Sequence, residues 1–196
     1  RAGAAPARVA FARVAAEIAR CEPVTIGAQA DQVDAARAML PHSVRVVAVP
    51  SDDSWIRDSG PTVLRHSDGR RLAVQWQFNA YGHLYAPHER DKEVAARVAD
   101  VEGLPLVNAP FVLEGGAIHA DGQGTLLTTE ECLLHPTRNP GLTRADIERL
   151  LCAYTGARQV IWLGPGVVGD SDTNGHVDNL ACFVRPGVVA LAWEPD

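Results

Sequence analysis

The sequence predicts an α/β fold assembled from a repeated unit of two strands, a helix and a third strand. Three observations carry that expectation. A pattern of hairpin, helix and strand recurs along the chain, and the hairpin turns are marked by Gly69, Gly122 and Gly187. Each hairpin also opens on polar residues of catalytic type: Asp58, then Glu114, then His176 with Asp178. Asp58 and Glu114 stand 56 residues apart, and Glu114 and His176 stand 62 apart. Units that deliver such residues from the same place suit an arrangement around one shared centre.

In order, Pro6 starts a helix over residues 6–20 whose apolar residues are Val9, Phe11, Val14 and Ile18. A strand at 23–26, a helix within 30–40 and a strand at 43–50 follow. The first hairpin is "WIRDSGPTVLRH", the turn "SDGR" and "RLAVQWQFN". A helix over 91–101 and a strand over 104–110 come next. The second hairpin is "LEGGAIHA", the turn "DGQG" and "TLLTTEECLL", then a helix over 143–154 and a strand over 158–164. The third is "GHVDNLACFV", "RPG" and "VVALAW".

The 196 residues suffice for a single domain, spanning 1–196, with 46% hydrophobic and 21% charged residues. A net charge of −6 argues against nucleic acid and permits a cationic ligand. No run has the length of a membrane span and no signal peptide is visible, so the cytoplasm is expected. Cys21, Cys132, Cys152 and Cys182 are scattered without a C-x-x-C spacing, which suggests neither a disulfide framework nor a zinc knuckle. The chain begins at Arg1 and stops at "LAWEPD", and both ends read as cut.

The stretch "GDSDTNGHVDNLACF" opens like a calcium loop, with Asp170, Asp172, Asn174 and Gly175. Its twelfth position is Ala181 where a bidentate Glu belongs, and strands flank it where helices should, so calcium is rejected. Two H-x-D pairs, His119/Asp121 and His176/Asp178, leave a metal hydrolase as a rival reading, although the turn explains Asp121 more simply. His176 and Asp178, two apart, share one face of an expected strand. Asp58 beside Arg57 reads alone as an ion pair, and Gly115 and Gly116 allow either a ligand or a bulge close to the backbone. Gathered carboxylates need a cation, and a guanidinium matches them in shape and charge.

The motifs "WIRDSGPT", "FNAYG", "LEGGAIHADGQGTLLTTEECLL…RNP" and "DTNGHVDN" resemble agmatine deiminase (agmatine iminohydrolase) and its relative, the bacterial type of peptidyl-arginine deiminase, from about residue 44 onward. The resemblance implies the pentein fold, a propeller of five ββαβ units, of which about three are counted here. It implies hydrolysis of agmatine to N-carbamoylputrescine and ammonia through a covalent cysteine intermediate, without a cofactor, in the route to putrescine. By motif match Asp58 and Asp178 would hold the guanidinium and Glu114 would orient His176. His176 would serve as acid and base, Tyr81 would clamp the aliphatic stem, and Asp172 would meet a second positive end. The family's nucleophile lies in a glycine-rich motif that this sequence does not reach. Cys182 shares parity with His176 but stands roughly 13 Å along a strand, and is a poor substitute. Peptidyl-arginine as substrate and a non-catalytic guanidinium-binding protein stay open as alternatives. A homo-oligomer is allowed, and no nucleic acid or membrane partner is expected.

Overall fold

The computed structural model describes residues 4–193, so the two ends that read as cut lie outside the described residues. The chain divides into two compact units, residues 1–51 and 52–196. In the first, helix Ala5–Ile18 carries Pro6 in its opening turn, where a missing N–H costs no helical bond. Strand β1 (Thr25–Ala28) pairs in parallel with β2 (Arg45–Ala48), through a 3-10 turn Ala30–Gln32 that runs into helix Val33–Met39. The apolar residues Val9, Phe11, Val14 and Ile18 are exposed; Ala15 is the buried residue of its helix.

In the second unit the repeat is present. Strands β3 (Thr62–Arg65) and β4 (Arg71–Gln77) form an antiparallel hairpin, and β5 (Leu106–Val112) joins β4 in parallel. Helix Val94–Glu102 makes the crossover, burying Val94, Ala95 and Ala99 and ending at left-handed Gly103. Strands β6 (His119–Ala120), β7 (Thr125–Thr129) and β8 (Gln159–Leu163) repeat the pattern around helix Arg144–Thr155. Thr143 and Asp146 close that helix's N-terminus with a reciprocal capping box. A third hairpin, β9 (Ala181–Arg185) with β10 (Val188–Leu191), follows. Gly69, Gly122 and Gly187 have φ values of 90°, 71° and 73°, the left-handed conformation that hairpin turns need.

The hairpins differ from expectation at their heads. A helical turn, not strand, precedes each: Ile56–Ser59, then 3-10 turns Gly115–Ala117 and Val177–Asn179. Bonds closing within each turn, such as Ala117 N–H to Glu114 O at 3.0 Å and Leu180 N–H to Val177 O at 3.1 Å, use groups that a strand would have sent sideways. The strand reading of 125–134 likewise stops at Thr129, whose hydroxyl accepts from Cys132 N–H and caps helix Glu130–Leu133.

One cluster joins the two complete repeats, with Trp76, Phe111, Leu113, Leu126, Leu133, Ile147 and Leu151 buried together. Trp76 and Phe111 meet edge-on at 5.3 Å, and the Trp76 indole donates to Thr62 at 2.8 Å. Each such apolar side chain contributes about 1.5–3 kcal/mol by its burial. This packing holds the strands, and the strands bring the three helical turns against one another.

Candidate active site

Glu114 is fully buried at the N-terminal cap of its 3-10 turn. A buried carboxylate needs a counter-charge. Arg138, equally shielded, supplies it, donating from Nε to Glu114 Oε1 at 2.6 Å. The rest of the guanidinium is spoken for: Nη1 donates to Thr137 Oγ1 and Asn174 Oδ1, both at 3.0 Å, and Nη2 to Thr173 O at 3.2 Å. Glu114 Oε2 is left facing His176 Nε2 at 3.9 Å, and neither atom has a hydrogen-bond partner among the described residues.

Asp58, 8% exposed, is fixed on both sides. Its Oδ1 accepts from Gly116 N–H and its Oδ2 from the Tyr81 hydroxyl, each at 2.8 Å. Burial and the adjacent carboxylate push the Tyr81 hydroxyl far above its ordinary range, so it is a donor at every physiological pH. The Tyr81 ring lies 6.0 Å from the His176 ring. Its backbone is unusual, because Ala80, Tyr81, Gly82 and His83 all have positive φ, from 53° to 81°. Side chains cost about 1–2 kcal/mol each in that conformation. Asn79 holds the turn, accepting from Gly82 N–H and donating to Thr137 O, both at 2.8 Å.

These groups converge on Gly116. A Cβ at that position would lie 2.5 Å from His176 Nδ1 and 2.8 Å from both Asp178 Oδ2 and Asp58 Oδ1. Only hydrogen fits, so the backbone forms a floor over which two carboxylates and an imidazole meet. His176 Nδ1 stands 3.7 Å from Asp58 Oδ1. Burial pushes the Asp178 carboxyl up, and Asp58 adds to this against the opposing pull of His176 and Arg57. Two carboxylates, a hydrogen-bond donor and a proton-carrying ring around one small space can grip a planar cation and move protons at its edge.

Several sequence expectations are met by a different route. His176 and Asp178 do meet on one side, but their strand is a 3-10 turn, so strand parity is not the reason. The same correction removes the parity that linked Cys182 to them; Cys182 is exposed in β9. Arg57 does not pair with Asp58. Its Nε lies 4.0 Å from Asp178 Oδ2 and its Nη2 donates to Ile118 O at 3.2 Å. The calcium-like stretch is a self-bonded loop. Burial alone would raise the Asp170 carboxyl, but bonds from Thr173 and from the Gly175 N–H outweigh it and hold it low. Asp172 on that loop is exposed, outside the buried cluster. Of the H-x-D pairs, Asp121 is taken by Gln123 and Thr125 N–H groups at 2.7 and 2.9 Å, and His119 Nδ1 accepts from Phe183 N–H at 3.3 Å.

Two site residues were not foreseen. Arg138 belongs to "HPTRNP", whose composition reads as a turn; the only signal was a basic residue within the quoted "RNP". Cys132, expected on a strand, lies on helix Glu130–Leu133, fully buried and close to both Glu114 and His176. Burial and the charge of Glu114 push its thiol far up, which keeps it protonated.

Residues 1–196 match the Porphyromonas-type peptidyl-arginine deiminase family. The chain is 50% identical over 202 residues to an agmatine deiminase of Pseudomonas aeruginosa, covering 100% of this chain and 55% of that one. It is 49% identical over 208 residues to an agmatine deiminase of Medicago truncatula, covering 100% and 56%. A solved structure described as agmatine deiminase of Enterococcus faecalis catalyzing its reaction superposes with a TM-score of 0.95 at 40% identity, covering 100% of this chain and 55% of that one. The chain thus spans about half the length of the curated relatives it matches.

Proposed function

We propose, for a chain that belongs to the Porphyromonas-type peptidyl-arginine deiminase family, that the protein hydrolyses the guanidinium of agmatine to a urea, giving N-carbamoylputrescine and ammonia. The observation that carries this reading is the convergence of Asp58, Asp178 and His176 on the hydrogen-only face of Gly116. The two carboxylates would each take a pair of guanidinium N–H groups, and Tyr81 would keep Asp58 turned toward them while its ring lines the aliphatic stem. Asp172, exposed on its loop, is available to a terminal amine such as agmatine's.

In the first step a cysteine thiolate bonds to the guanidinium carbon. Ammonia leaves with its electron pair, taking its last proton from the His176 imidazolium, and an amidino-thioether is formed. In the second step His176 takes a proton from water, the oxygen bonds to the same carbon, and the thiolate departs while the oxygen's remaining proton passes to solvent, leaving the urea. Glu114, set by Arg138, would orient His176 for both transfers. The nucleophile would come from the family's glycine-rich motif. Cys132 is held protonated, Cys182 and Cys21 are exposed, and Cys152 lies partly buried in helix Arg144–Thr155.

The repeated ββαβ units support a pentein-type propeller forming one catalytic domain, with this chain carrying about three of the blades. Putrescine formation in the cytoplasm, by an enzyme without a cofactor, completes the reading. No helix among the described residues is long and apolar enough to cross a membrane. Calorimetry on the complete protein tests the site. Agmatine should bind far more tightly than putrescine, which keeps the chain and amine but lacks the guanidinium. Equal affinities would remove the carboxylate pair from recognition.

A further inference from the structure

We infer that Glu114, Cys132 and His176 form a site for a thiophilic divalent cation, zinc being the fitting member, and that its occupation and guanidine turnover exclude one another. The second half of this inference rests on the deiminase reading above; the first half does not.

One ligand atom from each of the three side chains lies within 4.8 Å of the other two, and all three residues are buried. Some point lies within about 2.8 Å of all three atoms, so a contraction of roughly 0.5–0.8 Å reaches the Zn–N, Zn–O and Zn–S lengths of about 2.0–2.3 Å. On the same side chains, Glu114 Oε2 and His176 Nε2 are buried without a hydrogen-bond partner among the described residues. Their separation is 3.9 Å. Two ligands about 2.1 Å from one ion stand roughly 3.4 Å apart at the tetrahedral angle. A direct hydrogen bond would need about 2.9 Å. The gap is thus closer to what an intervening ion requires than to contact between the two.

The surroundings favour a soft or borderline ion. A thiol, an imidazole and one carboxylate oxygen are the donors of tetrahedral zinc, whereas calcium and magnesium demand six or more oxygens. The ligand side chains are also held from behind. Arg138 grips Glu114 Oε1 at 2.6 Å, His176 Nδ1 faces Asp58 Oδ1 at 3.7 Å, and Thr129 fixes the N–H of Cys132 at 3.2 Å. The Arg138 guanidinium opposes a second cation. Uptake is therefore coupled to loss of the Cys132 proton to solvent as the sulfur–metal bond forms, so that two anionic ligands meet the ion. Once bound, the ion occupies the Nε2 and Oε2 atoms through which His176 and Glu114 would work together.

Cobalt(II) added to the complete protein tests the site directly. One equivalent should give a near-ultraviolet thiolate-to-cobalt band, absent from Cys132→Ser. Alkylating the exposed thiols of the native protein beforehand should leave the band intact, because Cys132 is buried; this arm needs no variant. Zinc should inhibit agmatine turnover, with recovery on adding EDTA. Cys132→Ser should need at least tenfold more zinc than the native protein for half-inhibition, each measured against its own metal-free turnover. Absence of the band in the wild-type protein overturns the proposal. So does a band lost on alkylation, or zinc sensitivity unchanged in Cys132→Ser, since either places the ion on a different cysteine. If agmatine is not a substrate, the two cobalt arms still decide the metal site.

Discussion

Glu114 and Arg138 are hidden from water side by side, and the pair divides the carboxylate's labour. One oxygen is spent on the guanidinium and the other is left for His176. Removing the partner would strand a buried charge at a cost of about 3–5 kcal/mol, so Arg138→Met is expected to fold poorly. Arg138→Lys is the informative change, because it keeps the charge but loses the fork that also reaches Thr137, Asn174 and Thr173. With Glu114 less firmly aimed, kcat for agmatine should fall by about tenfold or more while KM changes little. Steady-state kinetics on a variant with a normal unfolding midpoint checks it. A fall in affinity with kcat intact would make Arg138 a binding residue instead. The sequence could not announce this residue, since a buried arginine in a proline-rich loop has no periodicity to betray it, whereas Asp58, Glu114, His176 and Asp178 each sat at the same point of a repeat.

The same contrast runs through the elements. The crossover helices and the glycine turns were legible because each has a pattern longer than itself: apolar spacing over several turns, or a left-handed residue between two strands. The helical turns at the hairpin heads were not, because three or four residues are too few for a period to show. They matter most for the site, since Glu114 and His176 each precede one as its cap and Asp58 and Asp178 lie within one. The left-handed turn Ala80–His83 is equally silent in "FNAYG", although Asn79 caps it by accepting from the Gly82 N–H. Asn79→Ala deletes two hydrogen bonds and should cost about 1–3 kcal/mol by chemical denaturation. It should also weaken agmatine binding, because Tyr81 would no longer be held against Asp58. Unchanged binding in a destabilised variant would separate the turn from recognition.

At the scale of the whole molecule, net charge of −6 and the paired carboxylates of Asp58 and Asp178 set a field that draws cations inward. Raising ionic strength from about 0.01 to 1 M shortens the screening length from about 30 to 3 Å. Over that range kcat/KM for agmatine should fall while kcat stays level. A flat salt profile would mean that long-range attraction plays no part in capture.

The crowding of Asp58 and Asp178 around Gly116 has a last implication. Like charges held side by side repel, and Arg57, 4.0 Å from Asp178, offsets that repulsion only in part, so keeping both carboxylates there costs the fold some stability. Asp178→Asn should therefore raise the unfolding free energy, by a few tenths to about 1 kcal/mol in buffer containing EDTA, while agmatine binding is lost. The native protein should in turn melt later with agmatine than without it, and the Asn variant should not respond. A guanidinium bound there would then be more than cargo: it would place positive charge between the two carboxylates, and thermal stability would read directly whether the site is filled.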